Sequence, residues 1–264
     1  MMSSKAGAPA YQPLWTITDT MVIAWRNLLR FVRLPQLLIF STIQPVMLLL
    51  LFNYVFGGAI HAGGTKYIDY LLPGFLVQTV VFGSSQTSVG LAEDLSRGMI
   101  DRFRSLPMAR PAVLAGRTLA DTLRYTFLVL LMIGVGSTIG FRFQNGVAPA
   151  IAAATLAVLF GFAFTWLSAF IGMSVKDVET AQVAGFVWIF PLVFASSMFA
   201  PIETMPGWLQ AFAKVNPVTV TTDAARALCL GGEVATPLWK SLAWIGGILA
   251  VFLPLAVRRY RRMT

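Results

Sequence analysis

Charged side chains are scarce in this chain, so the places where they gather are where chemistry is to be sought. The densest group is Glu93, Asp94, Arg97, Asp101, Arg102 and Arg104, set between two uncharged apolar runs. Leu95, Met99, Phe103 and Leu106 recur among them at three- and four-residue spacing, the pattern of a short helix with one apolar stripe. Mixed charge around an apolar stripe is not a catalytic constellation; it suits a helix gripped by another protein outside the membrane. A second group, Arg117, Asp121 and Arg124, is spaced by four and three and shares a helical face. Two readings of it stay open: an ion-pair cluster at a helix end with snorkelling arginines, or a substrate or proton relay. No other acid lies deep in an apolar run, which argues against a proton- or sodium-coupled carrier.

Other chemistries lack their residues. Cys229 and His61 are each the sole residue of their kind, which excludes an intrachain disulfide and any Cys/His metal cluster. The glycine-rich stretch from Gly57 to Lys66 is not a phosphate-binding loop, because its lysine follows Thr65 and no Ser or Thr follows the lysine. No bound cofactor is expected on this chain. An intramembrane enzyme would need a deep His, an Asp pair or a Ser–Lys pair, and none is present.

The elements that must position these groups follow from composition. With 57% hydrophobic and 12% charged residues in 264, and a mean hydropathy of +0.73, the chain is an integral membrane protein. The expected fold is all-α, with spans at about 36–56, 69–91, 114–140, 148–172, 180–200 and 239–257. The first run follows basic residues with no small-residue cleavage site after it, so it is read as a retained span. Lys5, Arg26, Arg30 and Arg33, then Arg97, Arg102, Arg104 and Arg110, then Lys176, then the tail Arg258, Arg259, Arg261 and Arg262 fall on one side of that topology. The other side has only Lys66, Arg142, Lys214 and Arg226, so both termini and the Glu93 loop are expected on the cytoplasmic side of the membrane. The net charge of +9 is thereby a topology signal facing anionic lipid, and no nucleic-acid partner is expected.

Residues 1–35 are expected to hold a small, proline-containing tail and an amphipathic interfacial helix. Leu14, Thr18, Met21, Val22, Trp25, Leu28, Leu29 and Val32 form its apolar stripe, and Pro35 separates it from the first span. A cytosolic extension of that span is the alternative. The third run begins among charges, and a helix over 112–140 would be about 43 Å long against a hydrocarbon core of about 30 Å. Its first turns therefore reach the headgroups. Between the fifth and sixth spans, Pro201, Pro206 and Pro217 punctuate an amphipathic segment with Trp208, Leu209, Phe212 and Asn216. Short helices dipping into the outer leaflet fit it, since irregular backbone at depth must be buried in protein. Such helices would form an outer gate. For a substrate path the second and fifth spans offer Gln78, Ser85 and Gln86, and Phe186, Trp188, Phe194 and Met198. Uncharged polar groups beside aromatics and Met suit a large amphipathic solute, and equally suit helix packing.

Two blocks carry a resemblance. One runs over 93–117 with Arg97-Gly98, Leu106-Pro107 and Gly116-Arg117; the other joins Phe190-Pro191, Pro201, Met205-Pro206-Gly207-Trp208-Leu209-Gln210, Asn216-Pro217 and Asp223-Ala224-Ala225-Arg226. With the hydropathy pattern, they make nearly the whole chain similar to a permease subunit of the type-2 ABC exporter family, of the daunorubicin-resistance type. It departs from that pattern at Ala195-Ser196-Ser197-Met198, where relatives carry a Leu-Ser-Gly turn. The resemblance implies six spans, a second permease subunit in a homodimer or a heterodimer, and a separate nucleotide-binding ATPase that holds ATP and Mg. It also implies that the helix of Glu93, Asp94, Arg97, Asp101, Arg102 and Phe103 couples to that ATPase, and that the cargo is a hydrophobic drug or antibiotic. Export of lipid, glycolipid or cell-wall polymer is the rival within the family, and a secondary carrier without ATPase the rival outside it.

Overall fold

The structure is a computed structural model that describes residues 13–33, 35–58, 66–99 and 110–263. Among these residues it is built of helices: α1 (Pro13–Arg33), α2 (Pro35–Phe56), α3 (Tyr67–Ser96), α4 (Arg110–Ile139), α5 (Val147–Gly172), α6 (Val178–Phe194), α7 (Gly207–Val215), α8 (Pro217–Leu230) and α9 (Ala235–Arg262), with a 3-10 turn at Ile202–Thr204. Among the described residues, three stretches are apolar and long enough to cross a membrane, namely Ala112–Ile139, Val147–Gly172 and Ala235–Arg262. Ser41–Phe56 and Val178–Phe194 are shorter apolar helices.

The bundle is organised around α3, which is buried along nearly its whole length and packs against α5, α4, α6, α8 and α2. Leu71, Leu72, Phe75, Leu76, Val77 and Val80 fill the main core with Phe160, Phe164, Ile189 and Val193. A smaller core of Leu91, Leu114, Trp166, Met173, Ala256 and Tyr260 closes the opposite end. Close approach is possible where glycine faces backbone: a Cβ on Gly172 of α5 would meet the Ser88 carbonyl oxygen of α3 at 2.4 Å.

The N-terminal helix forms and seats one face on α4. Ile23 and Ala24 are buried against α4, whereas Met21, Val22 and Trp25 of the expected stripe point outward. At Gly116 of α4 a Cβ would lie 2.6 Å from the Thr20 carbonyl oxygen, so α1 seats directly on the α4 backbone.

The charged insert also begins differently from the expectation of one short helix starting at Glu93. Glu93 and Asp94 belong to the last turn of α3, which ends where Gly98 takes φ +64° and its N–H reaches the Leu95 carbonyl at 3.0 Å. Leu95 and Met99 are thus not on one continuous helix. Asp101, Arg102 and Phe103 lie outside the described residues, as does His61. At the other end, α6 stops at Phe194 rather than near 200, and residues 195–200 form turns.

Candidate functional site

The site is built on α3 and completed by α2, α4 and α6. A cavity of about 300 Å³ is lined by Ser41, Gln44 and Leu48 of α2, Gln78, Phe82 and Gln86 of α3, Arg124 of α4, and Phe186, Phe190 and Phe194 of α6. Spacing by four puts Gln78, Phe82 and Gln86 on one stripe of α3, and the three phenylalanines on one stripe of α6. Phe190 packs edge-on to Phe82 at 5.6 Å and stacks on Phe194 at 5.2 Å. From Phe194 the rings continue to Phe199 at 5.3 Å and Phe52 at 4.6 Å, making an aromatic track toward Phe56 at the end of α2. Phe186, Phe190 and Phe194 are themselves 39%, 44% and 50% exposed, so the cavity is open on that face.

Ser41, Gln44, Gln86 and Arg124 also line a second, charged cavity of about 430 Å³, which reaches Asn27 and Arg30 of α1, Glu93 of α3 and Arg117 and Asp121 of α4. The two cavities therefore share a wall. Arg30 pairs with Glu93 at 2.6 Å and Arg117 with Asp94 at 2.7 Å, while Arg97 reaches Glu93 at 2.7 Å. Three helices are tied by these bridges at the end of α3. Arg117 consequently does not join Asp121, which instead accepts from Thr87 at 2.7 Å and pairs with Arg124 at 3.0 Å. Arg124 donates further to the Gly83 carbonyl at 2.8 Å and lies over the Phe31 ring. Among the described residues it is the only ionisable one on the wall of the aromatic cavity. Asp121 has its oxygens occupied by partners, the arrangement of a structural pair rather than a free acid.

Of the residues picked from sequence, Gln78, Gln86, Phe186 and Phe194 meet at this cavity. Three others do not line it. Trp188 stacks on Phe164 of α5 at 5.3 Å, Met198 is fully buried with its Cγ where a Gly74 side chain would begin, and Ser85 is buried facing Gly185 at the α3–α6 contact. Ser41, Gln44, Phe82 and Arg124 line it beyond the residues expected from sequence; the signal available for the α2 pair is a small group of polar residues, Ser41, Thr42 and Gln44, in a largely apolar run.

The segment read as an outer gate is held by Asn216. Its side chain caps α8 by accepting the Val218 N–H at 2.9 Å and donates to the Leu192 and Ala195 carbonyls at 2.7 and 2.9 Å. One amide thus satisfies orphan groups at both the start of α8 and the end of α6. Pro217 opens α8, Pro206 precedes α7, and Pro201 precedes the 3-10 turn, each where a missing N–H costs nothing. Trp208 is 76% exposed. Nearby, Arg226 covers the Tyr70 ring at 3.8 Å and binds Asp223 and the Tyr70 and Ser197 carbonyls, stitching α8 to α3 and to the turn after α6.

The described residues thus form an all-helical bundle with a polar–aromatic cavity on one side of α3. The chain belongs to the ABC-2 type transporter family, whose profile matches residues 18–230. It is 35% identical to a daunorubicin resistance ABC transporter permease of Streptomyces coeruleorubidus over 245 residues, 93% of this chain and 87% of that protein. It is 28% identical to a probable doxorubicin resistance ABC transporter permease of Mycobacterium tuberculosis, over 93% of this chain and 89% of the relative. A putative transport permease of Cyanophora paradoxa is 27% identical over 80% of this chain and 74% of its own length. The chain is accordingly a membrane permease of the ABC exporter class.

Proposed function

We propose that this permease exports hydrophobic drugs or antibiotics by alternating access, driven by ATP hydrolysed on a separate nucleotide-binding subunit. The observation that carries the reading is the cavity in which glutamines and phenylalanines face each other above a charged antechamber and below an aromatic track. A flat polycyclic solute with hydrogen-bonding substituents matches both halves of that wall. The drug-resistance names of the two actinobacterial relatives point to the same cargo.

In this reading six spans cross the bacterial inner membrane with both termini in the cytoplasm, and α7 and α8 form the outer gate. A second copy of the permease covers the open face of the cavity, which the exposed Phe186, Phe190 and Phe194 and the neighbouring Ile43 and Met47 support. ATP and Mg are held by the partner ATPase. Its closure would act on Arg97, Asp101, Arg102 and Phe103, and the work reaches α1 and α4 through the Glu93–Arg30 and Asp94–Arg117 bridges.

The test is co-purification from native membrane in mild detergent, followed by ATPase assay against an anthracycline panel. A bound ATPase with drug-stimulated turnover is expected. A bound ATPase indifferent to drugs would move the cargo to lipid or cell-wall polymer, and loss of the ATPase under conditions that keep known complexes intact would count against ATP drive.

A further inference from the structure

A groove of about 430 Å³ lies at the end of the bundle opposite the Arg258–Arg262 cluster, where three helices meet. Lys214 and Val215 come from α7, Val220 from α8, and Lys240, Ala243 and Trp244 from α9. Both lysines are exposed, and no carboxylate lines the groove or pairs with either lysine among the described residues. The remaining walls are apolar.

The residues around the groove are of the kind that sit at headgroup level. Trp239 and Trp244 flank Lys240 in the first turns of α9, and α7 is an amphipathic helix that exposes Trp208 and Phe212. Indole rings at the end of an apolar span mark the membrane–water boundary. Lys214 is in the last turn of α7, where the helix dipole favours a cation. That accounts for one lysine only, because Lys240 lies near the N-terminal end of α9, where the dipole offers a cation nothing. Lys214 and Lys240 come from different helices yet line the same groove, and an anion seated there would meet both charges.

We infer that this groove binds an anionic phospholipid. The phosphodiester lies between Lys214 and Lys240, and an acyl chain runs along Val220, Ala243 and Trp244. The apolar walls select a lipid over a free phosphate ion, which would need donors on its remaining sides. The bound lipid ties α7 to α9 at the segment read as the outer gate. The inference needs only that the bundle lies in a bilayer, and holds whatever solute is exported.

The test uses the full chain, delipidated in detergent and titrated with phosphatidylglycerol or phosphatidylcholine, read by thermal shift and by lipid retained in native mass spectrometry. Phosphatidylglycerol should be held at least about tenfold more tightly, a difference of about 1.4 kcal/mol. The double variant Lys214→Gln/Lys240→Gln should lose that preference, whereas Lys214→Arg/Lys240→Arg and the control Lys176→Gln should keep it. Equal retention of the two lipids by the unaltered chain, or preference surviving in the glutamine double variant, would overturn the site. Inorganic phosphate reproducing the whole shift would overturn the lipid in favour of a free anion.

Discussion

Asn216 joins two helix ends through one amide, so its loss should be felt at both. Asn216→Ala removes the α8 cap and leaves the Leu192 and Ala195 carbonyls without their donor in a buried site. A cap plus orphaned carbonyls is expected to cost about 2 kcal/mol, read as a lower thermal midpoint of the detergent-solubilised chain. Arg117 and Asp94 pose the complementary case of a shielded ion pair, with side chains 14% and 12% exposed. Arg117→Gln takes away the short ion pair of Asp94 and leaves the longer Arg30 contact at 3.8 Å, and should destabilise by about 3 kcal/mol. Adding Asp94→Asn should restore part of that stability, because a neutral amide needs no counter-charge. A double-mutant cycle in which the two losses simply add would show the pair to be uncoupled.

At the scale of elements, helix starts and helix contacts carry the testable content. Asp177 caps α6, accepting the Thr180 N–H at 2.7 Å and its hydroxyl at 2.9 Å, which holds its carboxyl below the usual range. A carboxyl lowered on folding stabilises the native form above its unfolded value, about 3.9, and the contribution is lost as pH falls through the folded value. Amide exchange over 180–183, corrected for its intrinsic pH dependence, should therefore lose protection below about pH 4. Asp177→Ala should show that loss already at neutral pH. Gly116 governs how α1 is attached: a methyl there would meet the Thr20 carbonyl oxygen and the Ile23 side chain at under 3 Å. Gly116→Ala should loosen α1 from α4, seen as faster proteolytic cleavage within residues 13–33, with the remaining helices as stable as before.

For the whole molecule, the question is how an event at the charged end reaches the cavity. Arg97 is the most exposed member of the network and pairs with Glu93 at 2.7 Å. In the reassembled transporter, Arg97→Glu should preserve membrane insertion and uncouple ATP hydrolysis from transport, lowering solute moved per ATP. Unchanged transport per ATP in this variant would remove the coupling role assigned to the end of α3.

Composition alone made this a membrane protein, and the residue periods alone made it helical; the N-terminal helix, the break at Pro35 and the short helices near Trp208 were all legible in order along the chain. These are local properties, set by hydropathy over one span and by where proline and capping residues fall. Which face of each helix points inward was not legible. A segment apolar all round has no preferred rotation until neighbours pack on it. Hence Trp188 and Met198 turned to the core while Phe190 and Gln44 line the cavity. Charge pairing was hidden for the same reason. Arg117 is four residues from Asp121 in sequence, yet the approach of α3 gives it Asp94, and the approach of α2 and α6 turns Arg124 into a wall of the site.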